Sequence, residues 1–319
     1  MKKVTIIFAL LLLTLCIGCT KNVTEQDLSI TFQDETITGK YTGQLVDDVA
    51  TADKATFTYK DGDNYLNYTG PFKDGQFSGN GTLESNMYIV HFTDFDRKGE
   101  YKGDVLDGIP KGTGTFTATN DSDETYTYEG QWDNGTFNGH GKRTFENSNI
   151  FTYEGTYVNG NFSPTKLEFL KHIGQDIANS ETDVPFTMTE NTINFINNND
   201  SIFPTNNFEN IKNLVDTSIE FKHLEKNINN YSEKLIKFDK GYVASISESD
   251  DYGQDISVVQ VASFGEGFYY VYYFGKLDNI FEGDDVLIYG LPLGTTYFKN
   301  VSNTTTQGVV VLGSYITKR

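Results

Sequence analysis

Residue types that perform nucleophilic or metal chemistry are few in this 319-residue chain, which contains two cysteines and four histidines. The histidines are His91, His140, His172 and His223, and no two of them have the spacing of a metal-binding motif. The sequence contains no G-x-S-x-G elbow, although a Ser/His/Asp triad assembled in space stays open. We therefore expect a non-enzymatic protein with no catalytic residues, no metal and no cofactor.

Carboxylates are abundant and leave two further kinds of site open. Asp121–Glu124 and Asp250–Asp255 form acidic clusters in predicted loops, but neither has the EF-hand spacing. Solvated turns are the expectation for both, and Ca²⁺ binding is the alternative. Paired carboxylates for glycoside cleavage also stay open, but no pair stands out.

The overall charge limits the class of partner. Lysine and arginine number 25 against 44 acidic residues, which gives a formal charge of −19. Phosphate neutralisation needs clustered Lys and Arg, so nucleic acid is not an expected partner. With 37% hydrophobic and 14% aromatic residues, the composition indicates globular domains rather than a disordered or polytopic membrane chain.

The N-terminus has the pattern of a secretory signal. Lys2 and Lys3 precede an apolar run over Val4–Ile17, which is shorter than the roughly 20 residues of a membrane span. Both cysteines, Cys16 and Cys19, lie at the end of this run. The alternatives are a cleaved signal that releases a soluble product and a signal that leads to an anchor.

Gly18-Cys19 resembles the processing site of bacterial lipoproteins. The resemblance implies a signal peptide over residues 1–18, lipidation of Cys19 (palmitate among its acyl chains) and attachment to the extracytoplasmic face of the cell membrane. Two acyl chains would anchor the chain stably. Loss of Lys2 and Lys3 would change the charge from −19 to −21. We expect residues 19–37 to form a polar tether.

A repeated frame, Tyr-x-Gly-x-apolar-x-(Asp/Asn)-Gly-x-x-x-Gly-x-Gly, follows the leader. Complete copies begin at Tyr68, Tyr101 and Tyr128, a truncated copy at Tyr153 and a degenerate copy at Tyr41. The repeat positions are Tyr68, Gly70, Gly75, Gly79, Gly81, Tyr101, Gly103, Gly108, Gly112, Gly114, Tyr128, Gly130, Trp132, Gly135, Gly139, Gly141, Tyr153, Gly155 and Gly160. Each copy predicts a β-hairpin, because Asp-Gly and Asn-Gly accept positive φ at tight turns.

Alternation predicts the packing of each hairpin. Tyr68, Gly70 and Phe72 share one sheet face, as do Phe77, Gly79 and Gly81 after the turn. Glycine allows a ring or a backbone to approach closely, so we expect aromatic rings over the glycines of adjacent strands. The alternative is an exposed aromatic ladder that binds a glycan or an extended peptide.

The frame resembles the MORN repeat over about residues 39–163. The resemblance implies an antiparallel β-hairpin meander and a link to phospholipid binding or protein–protein contact. Residues 38–163 carry 10 Lys/Arg and 19 Asp/Glu, a net −9, which favours protein contact over anionic lipid. The spacing between copies exceeds the usual repeat length because of extra residues at Glu84–Glu100 and Thr117–Thr127. We expect these residues to form longer strands or protruding loops. Loops are where binding specificity tends to lie.

The second half changes period. Apolar spacing predicts a helix over Lys166–Asn179, a helix capped by Thr189 and a short helix near Phe208–Val215. Period-two patterns then predict five strands in the last 90 or so residues, which fits a small closed barrel. The predicted strands are Lys234–Ser247, Asp255–Ser263, Gly267–Gly275, Asp285–Tyr289 and Gly308–Ile316, with a turn at Gly290–Gly294.

The barrel segment resembles the OB-like domains of Gram-positive lipoproteins through Gly241-Tyr242-Val243, Gly283-Asp284-Asp285 and Gly290. OB-folds bind ligands through their second and third strands. One face of the predicted third strand fills the barrel, so Tyr270 and Tyr272 are candidates to stack on a ligand from the other face. With 7 Lys/Arg against 11 Asp/Glu, residues 231–319 favour protein or glycan over nucleic acid.

These patterns predict a mainly β protein. Five segments are expected: a signal peptide (1–18), a tether (19–37), a MORN-repeat meander (38–163), a helical linker region (164–230) and an OB-like barrel (231–319). The expected function is a surface lipoprotein that acts as a binding or scaffolding module for protein–protein contact at the cell envelope. The alternative is an accessory protein that binds or processes cell-wall glycan.

Overall fold

The computed structural model describes residues 19–146, 152–175, 185–263, 267–299 and 305–319. The chain divides into two compact units, Met1–Val90 with Lys98–Phe116, and His91–Arg97 with Thr117–Arg319. The predicted signal peptide, residues 176–179 of the first predicted helix and residues 147–151 at the end of the third repeat lie outside the described ranges. The predicted domain boundaries at residues 163 and 230 stay a prediction.

The repeat region is an antiparallel meander of consecutive strands, as predicted. In the first unit the strand order is β1-β2-β4-β5-β7-β8-β9, and in the second unit β10-β11-β12-β13. The strands are β1 (Thr20–Phe32), β2 (Glu35–Val46), β3 (Val49–Ala50), β4 (Ala52–Asp61), β5 (Asn64–Lys73), β6 (Gln76–Phe77), β7 (Asn80–His91), β8 (Asp96–Leu106), β9 (Ile109–Thr119), β10 (Thr125–Asp133), β11 (Thr136–Phe145), β12 (Tyr153–Val158) and β13 (Asn161–Phe162).

The predicted tether over residues 19–37 is wrong. Thr20–Phe32 forms β1 and pairs with β2 along its length. Ile30 and Phe32 are buried. The alternation of Leu28, Ile30 and Phe32 gives the segment one apolar face, which outweighs its polar composition.

The hairpin turns are those that the Asp-Gly and Asn-Gly dipeptides predict. Asn134 and Gly135 have φ of 52° and 77°, and both residues of the other three dipeptides also have positive φ. In the degenerate copy, Asp47 and Asp48 adopt the same signs without a glycine, at 51° and 66°. Asp tolerates the left-handed region better than most residues, so the turn survives where the repeat pattern is weakest.

The longer spacings of the repeat are mostly longer strands. β7 and β8 extend over most of Glu84–Glu100, and β9 and β10 over most of Thr117–Thr127. Short loops remain at residues 92–95 and 120–124.

The segment after β13 is helical. It contains α1 (Lys166–Ile173), α2 (Glu190–Asn198) and α3 (Phe221–Asn227), with 3₁₀ turns at Asp200–Ile202, Phe208–Asn210 and Ile228–Tyr231. Thr165 caps α1 in a reciprocal pair with Glu168, and Thr189 caps α2 as predicted. The predicted first helix ends early because Gly174 closes α1.

The C-terminal strands form a closed five-stranded barrel in the order β14-β15-β16-β18-β17. They are β14 (Ile236–Asp251), β15 (Gln254–Ser263), β16 (Gly267–Tyr273), β17 (Asp285–Lys299) and β18 (Thr305–Lys318). The predicted turn at Gly290–Gly294 is wrong, because β17 continues through it with two register shifts against β18. Gly290 lies against Val311 and Leu312 there, so it serves close packing in a bulged strand rather than a turn.

Two clusters of buried side chains cover both faces of β16. The inner cluster includes Tyr269 and Val271 together with Val243, Val261 and Ile288 of the other barrel strands. The outer cluster includes Tyr270 and Phe274 with side chains of the helical segment. The helical segment therefore packs on the outside of the barrel wall.

Candidate binding cleft

The complete repeats share one packing device, a tyrosine ring held over two glycines. A Cβ atom would lie 2.7 Å from Tyr68 Cε2 at Gly81, 2.8 Å from Tyr101 Cε2 at Gly114 and 2.5 Å from Tyr128 Cε2 at Gly141. Real Cβ atoms do not approach carbon so closely, so the second glycine of the final Gly-x-Gly makes room for the ring.

The same tyrosines use their hydroxyls in the same way. Tyr41, Tyr68, Tyr101 and Tyr128 each donate a hydrogen bond to the carbonyl three residues later, at 2.6 to 3.0 Å. Burial raises the pKa of Tyr68 to about 12, so this hydroxyl stays protonated and a donor. Packing is the expected role of Tyr68, Tyr128, Tyr153 and Trp132. Tyr68, Tyr128 and Trp132 are buried, whereas Tyr153 is only half-buried.

The truncated copy at Tyr153 departs from this device. Tyr68 and Tyr128 stack on the phenylalanine nine residues later, with ring centroids 3.9 and 3.8 Å apart. Tyr153 meets its equivalent, Phe162, edge-on at 5.5 Å and 88°. Its ring is half-buried and contacts His172 of α1 at 4.6 Å. The last repeat thus presents its tyrosine sideways instead of closing it into the sheet.

Arg143 occupies a position that other copies fill with a buried apolar residue. The residue two places after the final Gly-x-Gly is Leu83, Phe116 or Arg143, and the first two are 1% and 0% exposed. Arg143 pairs with Tyr128 on one side and Tyr153 on the other. A charge therefore replaces a core side chain on the ring-bearing face of the sheet.

Aromatic rings surround the Arg143 guanidinium. Its carbon lies 4.8 Å from the ring centre of Tyr153, 5.6 Å from that of Phe145 and 5.8 Å from that of Tyr126. These distances are those of cation–π contacts. Its Nε is buried and has no hydrogen-bond partner among the described residues.

Arg97, the second residue of β8, supplies a second guanidinium. Its Nη1 donates to the Thr119 carbonyl at 3.1 Å and to Asp121 at 2.9 Å. The hydrogen bond from Arg97 lowers the pKa of Asp121, so this pair stays ionised. Like that of Arg143, the Nε of Arg97 is buried without a partner in the described part of the chain.

Both arginines line one open cleft of about 720 Å³ within the second unit, a volume in the usual range of small-ligand sites. Tyr153 contacts Arg143 from behind and is not part of the lining. The lining residues are Phe92, Phe95, Arg97, Asn120, Tyr126, Arg143, Phe145, Val158, Gly160, Asn161, Phe162, Ser163, Tyr252 and Gly253. Phe95 is 51% exposed and Val158 is 47% exposed. Exposed large apolar side chains gathered in a concavity are typical of a binding surface.

Tyr252 brings the barrel to the wall of the cleft. It lies at the turn between β14 and β15 with φ of 56°, and its ring contacts Phe162 at 5.2 Å. Its hydroxyl lies 3.3 Å from Nε2 of His172. Burial lowers the pKa of His172, although a hydrogen bond from its ring to the Thr152 carbonyl opposes the shift.

Glu168 fixes the position of α1 beside the last repeat. Its carboxylate accepts hydrogen bonds from the backbone N–H groups of Thr156 at 3.1 Å and Thr165 at 2.8 Å. Burial raises the pKa of Glu168, but the hydrogen bonds from Thr165 and Thr156 outweigh it and hold the pKa below its usual value. Glu168, the partner of the N-cap Thr165, therefore also attaches α1 to β12.

The structure contradicts the predicted ligand-stacking role of Tyr270 but not that of Tyr272. Tyr270 is 7% exposed and belongs to the cluster that packs against α1 and α2. Tyr272 is partly buried against the same cluster, with its ring 6.2 Å from that of Phe186. The helical segment covers Tyr270, so this ring is closed to a ligand, while the ligand-stacking role of Tyr272 stays a prediction.

The acidic loops hold ordinary polar contacts. Asp121 pairs with Arg97, and Asp255 lies 3.2 Å from Lys276. Within the described ranges, no three His, Cys, Asp or Glu residues come together as metal ligands.

Cys19 is exposed, and its backbone N–H donates to Asp47 at 2.9 Å. No helix in the described part of the chain is both long enough and apolar enough to cross a membrane.

Sequence reasoning missed Arg97, Arg143, Tyr126, Phe145 and Tyr252. A signal for Arg143 was present, because it stands in a column where the other complete copies have Leu83 and Phe116. The long spacing marked the segment that carries Arg97 without indicating which side chains matter.

Comparison with protein families agrees with the geometry of the meander. The MORN repeat model matches residues 68–87, 101–122 and 128–150. These three segments are the complete copies, each with its tyrosine over a glycine pair, whereas the copies at Tyr41 and Tyr153 lie outside the match. A search of curated proteins finds no match to the chain.

Proposed function

We propose that this protein is a lipid-anchored, extracytoplasmic, non-enzymatic binding protein that holds a cell-wall glycan in the aromatic cleft. The observation that carries this proposal is the cleft itself: an open concavity of about 720 Å³ with six aromatic side chains in its lining. Rings on several sides of a concavity provide flat apolar surfaces, and the apolar faces of a sugar ring pack well against such surfaces.

The concave shape favours a glycan over the protein contact that the sequence favoured. A protein surface needs a broad complementary patch, whereas a cleft of this volume suits one or two rings of a polymer. Protein contact stays the second candidate, because Val49 and Ile109 are 44% and 50% exposed beside hairpin turns of the first unit.

The proposed absence of catalysis rests on the chemistry of the lining. The described residues of the cleft include neither a carboxylate nor a histidine or cysteine, and Ser163 is the one aliphatic hydroxyl among them. General acid–base catalysis needs a group that titrates near the working pH. Holding a ligand, rather than cleaving it, is what these side chains support.

The residue proposed to carry the lipid anchor is Cys19. The residue is exposed, and β1 begins at the next residue. A lipidated Cys19 would therefore hold the first strand of the meander at the membrane surface, without an intervening tether. Changing Cys19 to serine should move the protein from the membrane fraction to the soluble fraction of the cells that make it, and unchanged fractionation would contradict lipidation.

We further propose that the barrel is of the OB type. The first, second, third, fifth and fourth strands are neighbours in that order, and β16 pairs in parallel with β18; a five-stranded Greek-key barrel of this kind is the OB architecture. In this proposal the barrel is a support rather than the binding face. The helical segment covers Tyr270, and Tyr252 reaches the cleft instead.

Co-sedimentation of the chain with insoluble wall polysaccharide from the source cells tests the binding function. We expect the wild-type protein to sediment and Phe95→Ala to sediment less, because Phe95 is half-exposed in the cleft. Phe281→Ala is the matched control, since Phe281 is 61% exposed and lies outside the cleft. Failure of the wild type to sediment, or equal loss in both variants, would contradict the proposal.

A further inference from the structure

The chain contains three arginines, Arg97, Arg143 and Arg319, and two of them line the aromatic cleft. The protein carries a formal charge of −19, and no acidic side chain appears in the described lining. In a protein this acidic, a concavity with two guanidinium groups is an exception that the general charge pattern does not explain.

Arg143 is energetically costly at its position in the sheet. It replaces Leu83 or Phe116 of the other complete copies, and its buried Nε has no partner in the described residues. A buried polar group of a charged side chain without a hydrogen bond costs stability. Arg143 as a residue is partly exposed, so an anionic acceptor can meet the outer part of its guanidinium, where hydrogen bonds between charged groups are the strongest of their kind.

The net charge of the site limits the ligand's charge. Arg97 already pairs with Asp121 at 2.9 Å, so its charge is largely balanced. Arg143 has no salt bridge among the described residues, so the cleft offers about one unit of positive charge. A singly charged planar carboxylate matches one planar guanidinium, which can bind it with two parallel hydrogen bonds.

The rings define the rest of the ligand. Tyr126, Phe145 and Tyr153 hold the guanidinium in place, while Phe95 and Val158 present apolar surface beside it. A ligand that fills the cleft therefore carries its negative charge directly on a ring with apolar faces. A sugar with a carboxylate substituent has this combination.

We infer that the cleft selects acidic sugars of the uronic-acid type, with the carboxylate bound by Arg143 and the sugar ring packed on the aromatic wall. Arg143 is the residue that sets charge specificity, and Arg97, held by Asp121 and Thr119, is the second donor at the same wall. This inference rests on the proposed glycan-binding function of the same cleft.

Calorimetric titration of the full chain with two matched probes tests the inference. The probes are trigalacturonic acid and its methyl ester, which has the same rings without the charge. We expect the acid to bind at least tenfold more tightly than the ester. The variant Arg143→Leu, which restores the residue of the Tyr68 copy, should weaken binding of the acid by about tenfold to a hundredfold and weaken binding of the ester much less.

Two controls keep the outcome specific. Arg319→Leu removes a positive charge outside the cleft and should leave both affinities unchanged. Arg143→Lys keeps the charge but not the planar fork, and should retain part of the preference for the acid. Thermal unfolding of each variant confirms that the fold is intact.

The possible failures are distinguishable. Equal affinity of the wild type for acid and ester, or equal loss of both in Arg143→Leu, overturns the inference and leaves glycan binding standing. Tighter binding of a glycerol phosphodiester oligomer than of trigalacturonic acid also overturns it, because charge without a ring would then suffice. Binding of no saccharide by any form of the chain overturns both the inference and the proposed function.

Discussion

The copies at Tyr128 and Tyr153 are neighbours in the sheet, but their equivalent tyrosine rings pack differently. Tyr128 is fully buried over Gly141 and stacks on Phe137 at 3.8 Å. Tyr153 is half-buried, meets Phe162 edge-on and lies 4.8 Å from the Arg143 guanidinium. The Tyr128 copy uses its ring to close the sheet, whereas the Tyr153 copy turns its ring toward Arg143, which lines the cleft.

The largest expected effect is the removal of the closed ring. Tyr128→Ala deletes a fully buried aromatic side chain and should lower the free energy of unfolding by about 3–5 kcal/mol. Tyr153→Ala deletes a half-buried ring and should cost about half as much, while weakening binding in the cleft. Urea unfolding of both variants measures the difference. Equal costs would mean that Tyr153 is packed as Tyr128 is.

The glycine under the ring gives the next largest effect. Gly141→Ala places a Cβ 2.5 Å from Tyr128 Cε2 and should cost about 1–3 kcal/mol, as overpacking does. In a Tyr128→Leu background the ring is gone, so the same change should cost less than about 0.5 kcal/mol. A double-mutant cycle measures this coupling. Additive costs in the cycle would show that the ring does not require the glycine.

The tyrosine hydroxyl contributes a smaller amount. Tyr128→Phe removes the hydrogen bond to the Gln131 carbonyl, 2.8 Å away, and should lower the free energy of unfolding by about 1 kcal/mol. Tyr68→Phe should cost the same, because its hydroxyl bonds the Pro71 carbonyl in the same way. Tyr297→Phe is the exposed control and should be neutral. A neutral result for Tyr128→Phe and Tyr68→Phe would show that the hydroxyl does not contribute to the stability of the repeat.

The smallest expected effect is a pH dependence at the open repeat. Burial lowers the pKa of His172 from 6.5, so the unfolded chain binds a proton more readily than the folded one. The stability that neutral His172 provides is complete above about pH 6.5 and is lost as pH falls through the lowered pKa. Urea unfolding from pH 8 to pH 5 measures the change.

Two variants assign that pH dependence. His172→Gln should flatten the decline below pH 6.5, whereas His140→Gln should leave it intact, because His140 is mainly exposed. A decline that persists in His172→Gln would assign the effect to another group.

The local features of the fold could be predicted from the sequence, and the cleft could not. The turns at Asn134-Gly135 and its equivalents follow from dipeptide chemistry, and the barrel strands follow from period-two patterns. Tyr252 reaches the cleft wall only because the barrel packs beside the last repeat, and no local pattern encodes that arrangement. Tyr270 was expected to be open because the covering side chains of the helical segment are distant in sequence.

The role of Arg143 was partly predictable from the sequence. Beside Lys142 it has the appearance of one of two solvated cations, but the repeat column places it where Leu83 and Phe116 are buried. Conversely, residues 19–37 were expected to be a tether because polar composition concealed the alternation of Leu28, Ile30 and Phe32. Comparing equivalent positions is therefore more informative here than composition.

The open repeat makes the central claim accessible to one measurement. With three arginines in the chain, a ¹⁵N-arginine-labelled sample gives three side-chain Nε–H signals in an NMR spectrum, two from the cleft and one from Arg319. Titration with trigalacturonic acid should shift the Arg143 signal most, then that of Arg97, and leave that of Arg319 in place. Equal shifts of all three signals, or none at saturating ligand, would contradict the claim that the last repeat is open for binding.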